Sequence, residues 1–218
     1  MSDTKDISRL AAALPFWLSL AMIPLALVGA AQGGWTVFLL PVYGWVVTSI
    51  LDALAGLNHA NPATDTPEEN LFWYRFITLL WFPVQVCTLY GLIWYVTHTD
   101  HLGTWEKAVL FFGVGVITGS IGITYAHELM HQKNRLERWL GDLLLATVLY
   151  GHFRSEHLLV HHRYVGTPRD AVTARYNEGF PTMFLRVLTH GPASAWRAER
   201  QMLARAGRGP FHPSNPFW

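Results

Sequence analysis

The sequence predicts an all-α integral membrane protein: a helical bundle with four transmembrane helices, followed by a histidine-rich segment. Three observations carry this prediction. Hydrophobic residues make up 51% of the 218 residues and charged residues only 14%, well below the quarter usual in soluble domains. Within that apolar share, aromatic residues make up 14% of the chain, ten of them Trp, the side chain that anchors helices at membrane interfaces. Four mainly apolar stretches each reach the roughly 20 residues that a helix needs to cross a bilayer.

The spans are expected at about residues 10–31, 35–54, 72–96 and 105–125, within a single membrane domain covering 1–218. Gln32, Gly33 and Gly34 make a tight turn between the first two. Pro15, Pro24, Pro41 and Pro83 fall inside the spans, where membrane helices tolerate proline better than soluble ones do. Acidic residues precede the first apolar run and no convincing small-residue cleavage site follows it, so it reads as a retained helix and not as a signal peptide. A fifth apolar run, Trp139 to Phe153, is shorter and contains Asp142. It is expected as a helix buried against the bundle or lying at the interface. The loop from Asp52 to Glu69 is acidic and rich in Asn and Pro, a loop composition.

Charge sets the expected orientation. Of the sixteen Lys and Arg, twelve lie between Lys133 and Arg208, and Lys5 and Arg9 flank the first span. With four spans, both basic ends share one side, expected to be the cytoplasm. The net charge of +1 indicates no nucleic-acid partner. Cys87 is the one cysteine, which excludes a disulfide framework and a thiolate metal cluster.

Eleven histidines occur, six of them between His127 and His162. His127-Glu128-Leu129-Met130-His131 continues the fourth span, and its i, i+4 spacing puts both imidazoles on one helix face. In Glu156-His157-Leu158-Leu159-Val160-His161-His162, His157 and His161 repeat that spacing. On an α-helix His162 points about 100° away, towards a second metal ion. A lone HxxxH pair is readily a surface coincidence; two such groups about 25 residues apart, beyond the last apolar span, predict a metal site. Five imidazoles exceed one tetrahedral zinc site and suit two metals of higher coordination number. Ligation by imidazole without thiolate leaves Fe, Zn, Cu or Ni open. His59, His98, His101, His190 and His212 lack a partner at ligand spacing and read as ordinary loop histidines. Glu128 and Glu156 are candidates to accept the remaining ring N–H of a metal-bound histidine, each expected to serve a histidine other than its neighbour. His152, five residues before the second group, is a supporting or a structural histidine. The first group also matches HExxH, the zinc metalloprotease motif, but a protease needs only one further ligand and has no use for adjacent His161 and His162.

At these residues the chain resembles the alkane 1-monooxygenases of the membrane fatty acid desaturase and hydroxylase superfamily. His127 to Lys133 is similar to the first histidine box, and Gly151-His152-Phe153 with Glu156-His157 and His161-His162 to the second. Thr167-Pro168-Arg169-Asp170, Ser194-Ala195-Trp196-Arg197, and Asp52-Ala53-Leu54 through Asn61-Pro62 are similar to further family segments. The resemblance implies O2-dependent terminal hydroxylation of an alkane or related hydrocarbon by a non-haem di-iron monooxygenase. It implies two iron ions at the cytoplasmic ends of the helices, held by His127, His131, His157, His161 and His162, with Glu128, His152, Glu156 and Asp170 supporting them. It further implies a rubredoxin-type electron carrier with an NAD(P)H-dependent reductase, and a multi-pass location in the inner (plasma) membrane of a bacterium. On charge alone the basic segment is a positive-inside loop; an acidic carrier is a candidate to dock on it. A position midway along the second helix, Gly44 with Thr48 on the same face, is a candidate for the substrate tunnel, the competing role being close helix packing. Family members continue into more membrane helix and a third histidine box, so this chain is expected to be an N-terminal part, inactive by itself. A desaturase-like enzyme of the same superfamily and a vestigial, noncatalytic membrane protein are the alternatives.

Overall fold

The computed structural model describes residues 2–56 and 66–217. Most of the loop from Asp52 to Glu69, with His59, Asn61 and Pro62, lies outside these described residues. The described residues are helices, turns and loops, with no strand among them. They divide into two compact units, Met1–Leu144 and Leu145–Trp218.

The first unit carries four helices long and apolar enough to cross a membrane: α1 (Arg9–Gln32), α2 (Gly34–Leu54), α3 (Phe72–Thr97) and α4 (Thr104–Met130). Each spanning window is only 17–39% buried inside the chain. Large apolar side chains such as Trp45, Ile50, Trp94 and Phe112 therefore stay exposed, which fits helices solvated by lipid tails. Proline breaks the α-helical register where it lacks an N–H and crowds the carbonyl four residues earlier. α1 accordingly passes through a 3-10 turn at Leu18–Ala21, next to Pro24. α2 also contains a π-helical turn at Tyr43–Val47 and α4 one at Thr118–Gly122, neither of which holds or precedes a nearby proline.

Local chemistry explains how the spans meet. Gly33 and Gly34 both have positive φ, 65° and 58°, and so turn the chain from α1 into α2. The Glu106 carboxylate at the start of α4 accepts the backbone N–H groups of Gly34 and Gly103. Inside the unit, Trp81 donates its indole N–H to Gln85 at 2.9 Å and packs edge-on against Tyr125. The Tyr125 hydroxyl donates to the Phe16 carbonyl at 2.9 Å, which joins α1, α3 and α4. At Gly44 a Cβ would meet Val116 Cγ1 at 3.0 Å, so this glycine lets α2 approach α4. The Thr48 hydroxyl turns inward onto the Gly44 carbonyl at 2.6 Å.

The helix read from Trp139 to Phe153 has different bounds. It is α5 (Arg135–Thr147), and it ends where Leu149 takes a left-handed φ of 57°, a conformation that stops an α-helix. Polar residues at its start were not part of the apolar run, yet Glu137 there is 5% exposed and forms an ion pair with Arg75 of α3.

In the second unit, a short helical segment α6 (153–164) packs on the long helix α7 (Phe180–Arg205). Pro181 sits in the first turn of α7, where its missing N–H costs nothing. Gly191 of α7 is buried beneath α6, close to His152 and Glu156. Ser155 donates to Glu199 at 2.6 Å, both residues buried. The chain then folds Phe211 and Phe217 back onto Trp196.

Candidate metal centre

In the first unit, the C-terminal end of α4 carries His127 and His131. Their rings lie 4.7 Å apart, centroid to centroid, with a ligand nitrogen of each within 4.8 Å of the other's. One helical turn separates them, as the spacing requires. Glu128 stands beside its own neighbour, with Oε1 3.2 Å from His127 Nδ1. α5 holds this part of α4 from behind. A Cβ on Gly141 of α5 would lie 2.9 Å from the Ala126 carbonyl oxygen and 3.1 Å from Leu129 Cβ, so only glycine permits this approach.

In the second unit, the second histidine group departs from α-helical register. Glu156–His161 is a π-helix, in which the backbone bond runs from i to i+5. The wider turn brings His162 alongside His157 instead of pointing it away. Their Nε2 atoms are 2.9 Å apart, and the rings meet edge to face at 4.4 Å. Two imidazoles at right angles on one ion, with bonds of about 2.0–2.1 Å, would be separated by about 2.9 Å. His161 stacks on His157 with ring centroids 5.2 Å apart.

Asp170 lies on the loop before α7 with its side chain fully buried. It accepts the Val172 N–H at 3.0 Å and the Thr173 hydroxyl at 2.5 Å. His161 Nδ1 is 2.8 Å from its Oδ2. Burial alone would raise its pKa; the Thr173, Val172 and His161 hydrogen bonds outweigh that and hold the carboxyl below its ordinary value. An ionised Asp170 makes Nδ1 of His161 the donor. That fixes the tautomer and leaves Nε2 as the ligand atom.

Glu156 is 2% exposed, and neither carboxylate oxygen has a hydrogen-bond partner. Burial, then the charge of Asp170, push its pKa up to about 7 against the opposing effect of His161. A buried carboxylate without a donor is costly unless a cation stands near it. The residues of this unit thus fit a metal ion: three clustered imidazoles, one oriented by a carboxylate, and one carboxylate awaiting positive charge. Burial also lowers the pKa of His152, keeping it neutral beside Tyr150.

The remaining described histidines bond protein groups, His101 at the end of α1 and the others within four residues of themselves. His98 bonds the Trp94 carbonyl, His101 the Ala30 carbonyl, His190 the Arg186 carbonyl and His212 the Ser214 hydroxyl. Sequence reasoning missed the π-turn, since helical spacing read at 3.6 residues per turn carries no sign of it. Glycine at position 141 was likewise overlooked, although glycine inside an otherwise helical run is a signal of close approach.

Residues 102–215 match the family model of the fatty acid desaturases. The chain is 32% identical over 203 residues to alkane 1-monooxygenase 1 of Alcanivorax borkumensis, covering 91% of this chain and 49% of that protein. It is 35% identical over 181 residues to alkane 1-monooxygenase 2 of Pseudomonas aeruginosa, covering 78% and 48%. The xylene/toluene monooxygenase hydroxylase component XylM of Pseudomonas putida is 24% identical over 208 residues, covering 93% and 54%. The chain spans about half the length of the curated relatives it matches. Family match, histidine spacing and four membrane helices agree, and the chain belongs to the fatty acid desaturase family, with the alkane 1-monooxygenases among its relatives.

Proposed function

We propose that the full-length protein is an alkane 1-monooxygenase that hydroxylates the terminal carbon of an alkane or related hydrocarbon with O2. The observation that carries this reading is the pair of histidine groups in a chain whose relatives bear that name. His127, His131, His157, His161 and His162 are the proposed ligands of a non-haem di-iron site, with Glu156 and Asp170 supporting it. Iron would supply the activation of O2, because an unactivated C–H bond gives an acid or base nothing to act on. The chain's own residues orient the ligands: Asp170 sets the His161 tautomer, and Glu156 offers a buried carboxyl that a nearby cation would drive towards its ionised form. Helices solvated by lipid give a hydrocarbon a route that never crosses water, where each exposed CH2 would cost about 0.8 kcal/mol.

A rubredoxin-type carrier and its NAD(P)H-dependent reductase are the proposed electron source. The histidine groups and the N-terminus are proposed to face the cytoplasm of a bacterial inner membrane. The test uses the full-length protein in membranes supplied with a rubredoxin and reductase. Octane should yield 1-octanol, and each single Ala substitution of the five histidines should lower bound iron and abolish turnover. Full activity in one of the five removes that residue from the ligand set. An alkene product, or no oxidation of any hydrocarbon by iron-loaded protein, overturns the assignment.

A further inference from the structure

The second unit contains a cleft of about 570 Å³ whose lining includes none of the five proposed metal ligands. Its cationic lining is Arg163, Arg169, Arg175, Arg186, Arg197 and Arg205, and no acidic residue lines it. Arg186 is already neutralised. It pairs with Glu178 and donates to the carbonyls of Ala171 and Thr173. Among the described residues, Arg163, Arg169, Arg197 and Arg205 form no ion pair with a carboxylate.

Two arrangements in the cleft favour a small anion over solvent. On α7, Arg197, Gln201 and Arg205 recur at i, i+4 spacing, so one face of the helix presents a row of hydrogen-bond donors to the cleft. Opposite in sequence, the guanidinium carbons of Arg163 and Arg169 lie 5.3 and 5.6 Å from the centroid of the same Tyr164 ring. Cation–π attraction is worth about 0.5–1 kcal/mol at such sites. It holds two like charges together that an anion between them would neutralise. Leu159, Val160 and Met202 also line the cleft and supply an apolar wall. The shape is concave, which suits a headgroup better than the face of a folded protein.

We propose that this cleft binds the phosphate of an anionic phospholipid headgroup, with the arginines on the phosphate and the apolar wall against the first carbons of the lipid. Basic pockets on membrane proteins take such headgroups by charge-assisted, bidentate Arg–phosphate bonds. The four membrane spans keep this chain among lipids, so the ligand is always at hand. The inference does not depend on the alkane reading.

The test is lipid binding to the full-length protein purified in a zwitterionic detergent, followed by native mass spectrometry and thermal melting at fixed ionic strength. Phosphatidylglycerol should bind saturably and raise the melting temperature, and phosphatidylcholine, whose choline cation meets the arginines, should bind at least tenfold more weakly. The double variant Arg197→Gln/Arg205→Gln should lose the phosphatidylglycerol effect while melting like the parent without lipid. Arg197→Lys/Arg205→Lys should keep most of it. Inorganic phosphate that saturates at the same concentrations and is lost in the Gln variant would keep the phosphate site but overturn the lipid assignment. Equal binding of both lipids, an unaltered response in the Gln variant, or protection by an acidic protein alone would overturn the proposal.

Discussion

Gly141→Ala is the sharpest test of how the first histidine pair is held. The added Cβ would sit 2.9 Å from the Ala126 carbonyl oxygen, 3.1 Å from Leu129 Cβ and 3.2 Å from the Met130 amide nitrogen. All are backbone or near-backbone atoms of the turn that carries His127 and His131, so no flexible side chain can move aside. Either α5 retreats or α4 bends, and overpacking of this kind costs about 1–3 kcal/mol. Alanine simultaneously favours the helix by about 0.8–1 kcal/mol over glycine. Gly91→Ala in α3 isolates that second effect, because a Cβ there meets nothing within 4 Å. The stabilities of the two variants in detergent should therefore differ by about 1–3 kcal/mol, several degrees in melting temperature for a chain of this size, with Gly141→Ala the lower. Iron bound per chain should fall in Gly141→Ala and stay unchanged in Gly91→Ala. Equal melting of the two variants, with full iron content in both, would refute the claim that α5 fixes the His127–His131 turn.

Other perturbations follow from the second unit. Glu156 has a folded-state pKa raised from 4.5 to about 7, so its stabilising contribution is present below pH 4.5 and is lost as pH rises through about 7. In chelator-treated protein, Glu156→Gln should flatten the pH dependence of melting over that window, by roughly 3 kcal/mol; an unchanged profile would show that the carboxylate is hydrated. Asp170→Asn removes the anion that holds His161 Nδ1, and iron affinity should drop by about 10–100-fold, read from dissociation during chelator competition. Ser155→Ala strips the donor from buried Glu199 and should destabilise by about 1–3 kcal/mol, whereas an unaltered melting temperature would mean that water replaces the hydroxyl. Gly44→Trp forces a ring against Val116 and should impair folding and all alkane lengths alike; selective loss of long alkanes would identify Gly44 as lining the substrate route.

Much of the architecture was legible in the sequence, because a bilayer imposes a length and a composition that apolar runs display directly. The four spans came within a few residues of α1–α4 for that reason. α4 runs on through the first histidine box to Met130, as the continuation of the fourth span into His127–His131 led one to expect. The histidine types and their spacing were equally visible, as was the family to which they belong. Tertiary structure decided the rest. The π-turn at Glu156–His161 replaces an expected 100° divergence with a 2.9 Å approach of His157 and His162. One extra residue per turn is a backbone event that side-chain periodicity does not encode. Asp170 finds His161 from nine residues away only because the loop at Val172 and Thr173 folds the carboxylate inward. Burial decides Glu156: the same carboxyl in water would be an ordinary surface acid, and only packing of α6 on α7 removes its solvent and every donor. Sequence therefore determined which groups the chain brings to the candidate metal centre, while packing determined their orientation and nearest partners, because those depend on desolvation and on contacts distant along the chain.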